Sequence, residues 1–142
     1  VSVRVIGEPF DPWAELTRHE AALAARGAVG ACAVFVGTAR DFNAGELVAV
    51  MRLEHYPGMT DRQLSAIERE ARARWALVDT LVIHRYGELR PGDPIVLCAA
   101  WSAHREEAFA ACRYLIEELK TRATFWKQED SGSGRRWVEQ SG

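Results

Sequence analysis

Lysine is nearly missing from this chain. Lys120 and Lys127 are the only two among 142 residues, and the other sixteen basic side chains are arginine. Most surface roles of a cation suit arginine equally well. An amine differs in that it can lose its proton near neutral pH when desolvated or crowded by other cations. Two amines seven residues apart, beside Phe125 and Trp126, therefore suggest a site. The plainer reading is a drift of composition toward arginine that left two surface lysines behind.

Cysteine is scarce as well. Cys32, Cys98 and Cys112 are odd in number and form no C-x-x-C pair. Each lies in an apolar stretch, so they read as buried thiols in a reducing cytoplasm, not as a disulfide frame or zinc site. Long apolar runs are absent. The longest, Ala28–Val36, is too short to span a bilayer, so no membrane role is expected. Val-Ser-Val-Arg at the start lacks a signal-peptide layout, and a cytoplasmic location is expected. A net charge of −2 argues against broad nucleic-acid binding, which needs a basic footprint, but leaves room for a small cationic pocket. No G-x-G-x-x-G, P-loop, H-E-x-x-H or G-x-S-x-G motif occurs. No metal-ligand cluster and no cofactor are expected, which disfavours a metal-dependent phosphate-ester enzyme.

What is present fits one domain over residues 1–142 with ordinary globular composition. Val1–Ile6 alternates like a strand. Asp11-Pro12 starts a helix with an apolar side of Trp13, Leu16 and Leu23, and Gly27 is its expected stop. Ala28–Gly37 is apolar and small and reads as a central strand covered on both faces. Thr38–Glu46 is a loop at its end. Leu47–Tyr56 alternates again. Thr60-Asp61-Arg62-Gln63 reads as a capping box opening a helix through Trp75. Thr80–Tyr86 and Pro94–Trp101 form a hairpin-like pair around Pro91-Gly92. Ser102 is the expected cap of a helix from about Ala103 to Thr121, with a core stripe of Phe109, Cys112, Ile116 and Leu119. Thr124–Glu129 and Arg135–Glu139 are short strands. Without a regular βαβ rhythm, the class is α+β.

Three further features carry charge where chemistry could use it. His104-Arg105 opens the long helix, where free amides favour an anion. Helical spacing aims Arg105 toward the apolar stripe; the plainer reading pairs it with Glu106 or Glu107. Arg40 sits on the loop after the apolar strand, and its plainer partner is Asp41. His84-Arg85 reads as structural, and His55 and His19 carry no signal. Arg105 and Lys120 are fifteen residues apart on one helix, roughly 22 Å at the helical rise. They cannot grip one small anion within a single chain. If both serve one pocket, a second copy must supply one of them.

The segments Val36–Arg40, Leu53–Met59, Ile83–Leu89, Ser102–Arg105, Leu119–Lys127 and Arg136–Glu139, in that order, resemble the large catalytic subunit of molybdopterin synthase. The resemblance implies an α/β-hammerhead-like fold with an additional small antiparallel sheet. It implies an enzyme, a sulfurtransferase converting cyclic pyranopterin monophosphate to molybdopterin by inserting the two sulfurs of its dithiolene. The sulfur would come from the thiocarboxylated Gly-Gly tail of a small ubiquitin-like partner subunit. The assembly would be a homodimer with a small subunit at each end and a site shared between copies. Lys120 and Lys127 would be catalytic. Thr38, Ala39, Arg40, His104, Arg105, Gln128 and Glu129 would hold substrate, with His104 and Arg105 coming from the neighbouring copy. Two positions depart from the family pattern: Thr124 stands where proline is usual, and Ser141 offers no charge near the end. A different reading is a non-catalytic module that binds a ubiquitin-like tail; an assay of dithiolene formation separates the two.

Overall fold

The computed structural model describes residues 2–40, 42–43, 46–123, 125–131 and 134–138, and at 42–43, 46–49, 126–131 and 134–138 it describes the backbone. Strands β1 (Ser2–Ile6), β2 (Ala31–Thr38), β5 (Leu77–Arg85) and β7 (Pro94–Ser102) form one sheet in the order β1-β5-β7-β2. Only the β1–β5 pair is parallel; β5–β7 and β7–β2 are antiparallel. A second, antiparallel sheet runs β3 (Phe42–Asn43), β4 (Glu46–His55), β8 (Phe125–Ser131), β9 (Gly134–Val138), with β6 (Gly87–Leu89) also pairing β4. This mixed arrangement is the α+β class that the sequence suggests.

Helices α2 (Met59–Arg74) and α3 (Arg105–Arg122) cover one face of the first sheet. Leu64, Ile67 and Ala71 from α2 and Ala108, Ala111, Cys112, Leu115, Ile116 and Leu119 from α3 pack on Ala33, Val82, Val96, Cys98 and Ala100. Helix α1 (Pro12–Ala21) and the segment after it cover the other face, where Leu16 and Leu23 meet Leu81, Ile83, Leu97, Ala99 and Trp101. The central strands β5 and β7 are thus buried on both sides. That explains the nearly unbroken apolar sequence of β7 and the apolar run Leu81–Val82–Ile83 at the heart of β5.

Local chemistry sets most of the boundaries. Asp11 caps α1 by accepting from the Trp13 and Ala14 amides at 3.0 and 3.3 Å, with Pro12 in the first turn. The helix ends at Ala21, well before Gly27. Trp13 stands 63% exposed outside its apolar side. The expected caps of the two longer helices differ in kind. Gly58, at φ 82°, occupies the cap position of α2, and the Thr60 hydroxyl instead accepts from the Tyr56 amide. His104 occupies that position for α3, while Ser102 is buried with its hydroxyl donating to the Ala76 carbonyl at 2.9 Å. The Ser102 hydroxyl serves a tertiary contact that local spacing cannot reveal, while the Thr60 hydroxyl turns back to the chain entering the helix.

The largest correction concerns β2. It is an edge strand, bonded only to β7 among the described residues, and Cys32, Val34 and Phe35 are exposed. Phe109, expected in the α3 core stripe, is 67% exposed, and Ala108 and Leu115 point inward instead. An apolar run alone cannot distinguish a strand covered on both faces from one with an open apolar side, so the sequence suggests a central strand where the fold has an edge.

Candidate functional site

Strand direction gathers one group of residues at one end of the first sheet. Thr38 pairs with Pro94 and His84 with Val96, so the C-terminal ends of β2 and β5 meet the N-terminal end of β7. Helix α3 begins just after β7 ends and packs back along β7 and β2. Lys120, in its last turn, returns to that same end. There its charge acts on both His84 and Cys98.

The second sheet closes over this end. Phe125 lies opposite His55, Lys127 opposite Leu53, Gln128 opposite Arg52 and Glu129 opposite Met51. The side chains of Lys127, Gln128 and Glu129 lie outside the described atoms, so their place is fixed by backbone register. Ala39 packs against Met51 and Leu53 of the same β4 strand. Its amide donates to the Asp93 carbonyl at 2.9 Å and its carbonyl accepts from the Gly92 amide at 2.8 Å. Thr38 and Arg40, both exposed, are therefore held beside the strand that faces Lys127. Asp41, the expected partner of Arg40, lies outside the described residues.

Arg85 anchors the turn on which Ala39 rests. It is buried, donates to the Glu88 carbonyl at 2.8 Å and lies 3.5 Å from the Asp93 carboxylate. That carboxylate also accepts from the Arg90 amide at 2.9 Å. The structural reading of Arg85 fits this arrangement.

The histidines carry more than their sequence positions suggest. His84 is fully buried, and the Phe125 ring stacks on it with centroids 3.7 Å apart and planes 18° apart. Burial, more than the nearby charge of Lys120, pulls its pKa down from 6.5 to about 3, so the ring is neutral. His55 lies against Tyr86 at 4.1 Å and within 6.4 Å of Phe125. His19 is half-buried, 2.9 Å from the Asp79 carboxylate and stacked on Trp101 at 4.9 Å. The signal that could have marked His84 is a titratable ring directly after the apolar run Leu81–Val82–Ile83.

His104 and Arg105 do not join this group. They stand exposed at the opposite end of α3, and Arg105, although spaced toward the apolar stripe, lies at its open end in solvent. The eighteen-residue helix keeps Arg105 and Lys120 roughly 22 Å apart within one chain. Cys98 and Cys112 are no source of nucleophilic sulfur. Burial pushes the Cys98 thiol up and raises Cys112 to about 11, so both stay protonated near neutral pH. Cys32, on the edge strand, is exposed.

Residues 8–122 match the model of the MoaE protein family. The chain belongs to the MoaE family. A molybdopterin synthase catalytic subunit from Ralstonia nicotianae is 51% identical to this MoaE-family chain over 138 residues, 97% of this chain and 77% of that relative. The solved structure of the molybdopterin biosynthesis MoaE protein from Burkholderia ambifaria is 46% identical. It superposes with a TM-score of 0.81, covering 99% of this chain and 91% of that one. A Helicobacter pylori complex of subunits 1 and 2 of molybdopterin-converting factor contains a chain that is 20% identical. Its TM-score is 0.80, with 99% of this chain and 92% of that one covered. At that identity the likeness is one of fold.

Proposed function

We propose that this chain, an enzyme of the molybdopterin synthase catalytic-subunit family, carries out sulfur transfer at the end of the sheet where Lys120, Thr38–Arg40 and the Lys127 segment gather. The observation that carries this reading is the placement of Lys120. The only amine whose position is described at side-chain level lies beside a buried neutral histidine and next to the strand that bears the second amine. An amine in partly buried surroundings can give and take a proton near neutral pH, which arginine cannot do.

The substrate is cyclic pyranopterin monophosphate, and the donor is the thiocarboxylated Gly-Gly tail of a small ubiquitin-like subunit. Both are anions, so a pocket of Arg40, Lys120 and Lys127 attracts them despite the net charge of −2. The thiocarboxylate sulfur forms a bond to the pterin side-chain carbon, and the departing oxygen takes a proton. Water then cleaves the acyl–sulfur bond and returns the tail as a carboxylate. Lys120 supplies the proton, and Lys127 orients the thiocarboxylate. Gln128 and Glu129 flank the substrate. The protonated state of the buried thiols supports a sulfur source outside this chain.

His104 and Arg105 contribute from a second copy. Two features support a homodimer: the separation of roughly 22 Å along α3, and the edge of β2, which no strand pairs among the described residues and where Val34 and Phe35 are exposed. The small subunit completes the assembly at each outer end. The whole reaction belongs to one domain spanning residues 1–142 and proceeds in the cytoplasm; no helix among the described residues is long and apolar enough to cross a membrane.

The test is single turnover with purified thiocarboxylated partner and pterin substrate. Lys120→Arg keeps the charge but cannot release a proton near neutral pH. Product formation is expected to fall at least ~100-fold, the usual scale for losing a general acid or base. Substantial turnover by that variant would refute the role given to Lys120.

A further inference from the structure

The mechanism above leaves one buried group unused. His84 lies mid-sheet with 0% exposure. Its Nδ1 is 3.0 Å from the Arg85 carbonyl oxygen. A carbonyl only accepts, so Nδ1 must carry the hydrogen and donate it. That bond fixes the tautomer. The other nitrogen, Nε2, is left with a bare lone pair, buried and without a hydrogen-bond partner among the described residues. A sealed acceptor without a donor costs free energy, and such an acceptor in a folded protein calls for an explanation.

The surroundings narrow that explanation. Phe125 covers one ring face. The charged and titratable groups on the same face as His84 come from three other elements: Lys120 of α3, His55 of β4 and Cys98 of β7, diagonal to it across the sheet, while Arg85 of its own strand meets the ring only through its backbone carbonyl. Lys120 alone combines donor hydrogens with a long flexible stem and a charge already acting on this ring. Arg85, the next residue on the strand, sends its side chain to the opposite face of the sheet, where it donates to the Glu88 carbonyl and lies 3.5 Å from the Asp93 carboxylate; its buried Nε lacks a partner there among the described residues.

We propose that His84 is a positioning residue for the reaction, its Nε2 lone pair being the acceptor on which the Lys120 ammonium rests while it faces the substrate. The inference rests on the proposed role of Lys120. A neutral imidazole suits the task. It accepts a hydrogen from the ammonium without competing for the proton that the amine must deliver. It also stabilises the charged form of Lys120 against the desolvation that would strip its proton. The Phe125 stack keeps the ring from turning. Because Phe125 begins the strand carrying Lys127, the same contact ties the two lysine-bearing segments together.

The scarcity of lysine makes a direct test possible. Protein labelled with carbon-13 at the lysine ε-methylene gives two side-chain signals, and Lys120→Arg assigns them. The Lys120 signal is followed against pH in the full chain bound to its partner subunit, for the wild type, His84→Phe and His84→Gln. Phenylalanine keeps the stack but has no acceptor, whereas glutamine restores a neutral acceptor near the Nε2 position. The expected result is a Lys120 midpoint at least about one pH unit lower in His84→Phe, largely restored in His84→Gln. The pH profile of single-turnover sulfur transfer should move with it. An unchanged Lys120 midpoint in His84→Phe overturns the proposal. So does an equal fall in both variants, which would mark a burial effect without an acceptor. Retained turnover in Lys120→Arg would strike the functional reading separately, since the methylene titration does not depend on activity.

Discussion

At the scale of single residues, burial decides which titratable groups are chemical and which are architectural. His84 is the clearest case. Its pKa falls from 6.5 unfolded to about 3 folded, so between those values the unfolded chain binds a proton that the native ring excludes. Its contribution is fully present above pH 6.5 and is lost as pH falls toward 3. The limiting slope is about 1.4 kcal/mol per pH unit. Urea titrations of the wild type and His84→Phe at stepped pH should show this slope in the first and a shallower one in the second. Glu68 is architectural: it is 2% exposed, accepts from the fully buried Thr80 hydroxyl at 2.9 Å and pairs with Arg72. Glu68→Ala leaves that hydroxyl without its partner and should cost about 2 kcal/mol in denaturant unfolding. The two lysines stood out in the sequence because an amine among sixteen arginines is a chemical exception. His84 and His55 did not, because their meaning comes from Phe125 and Tyr86, which approach from distant strands.

At the scale of elements, periodicity located nearly every helix and strand, and errors fall where a tertiary partner overrides local preference. Ser102 looks like a cap, yet its hydroxyl engages the distant Ala76 carbonyl. The short strands β3 and β6 lie in stretches whose sequence suggests loop, because pairing with β4 alone defines them. Gly30 shows how tightly one connection is made. Its amide donates to the Ser102 carbonyl at 2.9 Å, and an added Cβ would come 2.0 Å from the Ala103 carbonyl oxygen. Gly30→Ala must move backbone at the junction of β7 and α3, and a loss of about 1–3 kcal/mol is expected in thermal or chemical unfolding. The same junction leads into His104 and Arg105, so this variant should also weaken substrate binding if those residues act as proposed.

At the scale of the whole molecule, the fold puts Lys120 and the His104–Arg105 pair, proposed above as two halves of one cationic site, at opposite ends of one helix. Sequence spacing already carried that separation, since an α-helix converts residue number into length. It could not show the complementary fact, that β2 lies at an open edge with Val34 and Phe35 exposed. An apolar open edge is the surface a second copy would cover. The double variant Val34→Glu with Phe35→Asp should sediment as a monomer and lose sulfur transfer while its circular dichroism stays native. The shared site itself is tested most directly by mixing two inactive variants, Lys120→Arg and Arg105→Ala, after dissociation and reassembly with the partner subunit. Each mixed dimer would contain one site with both residues intact, so random pairing should restore about a quarter of wild-type single-turnover product. Mixtures that form dimers yet stay as inactive as either parent would contradict a site built from two copies.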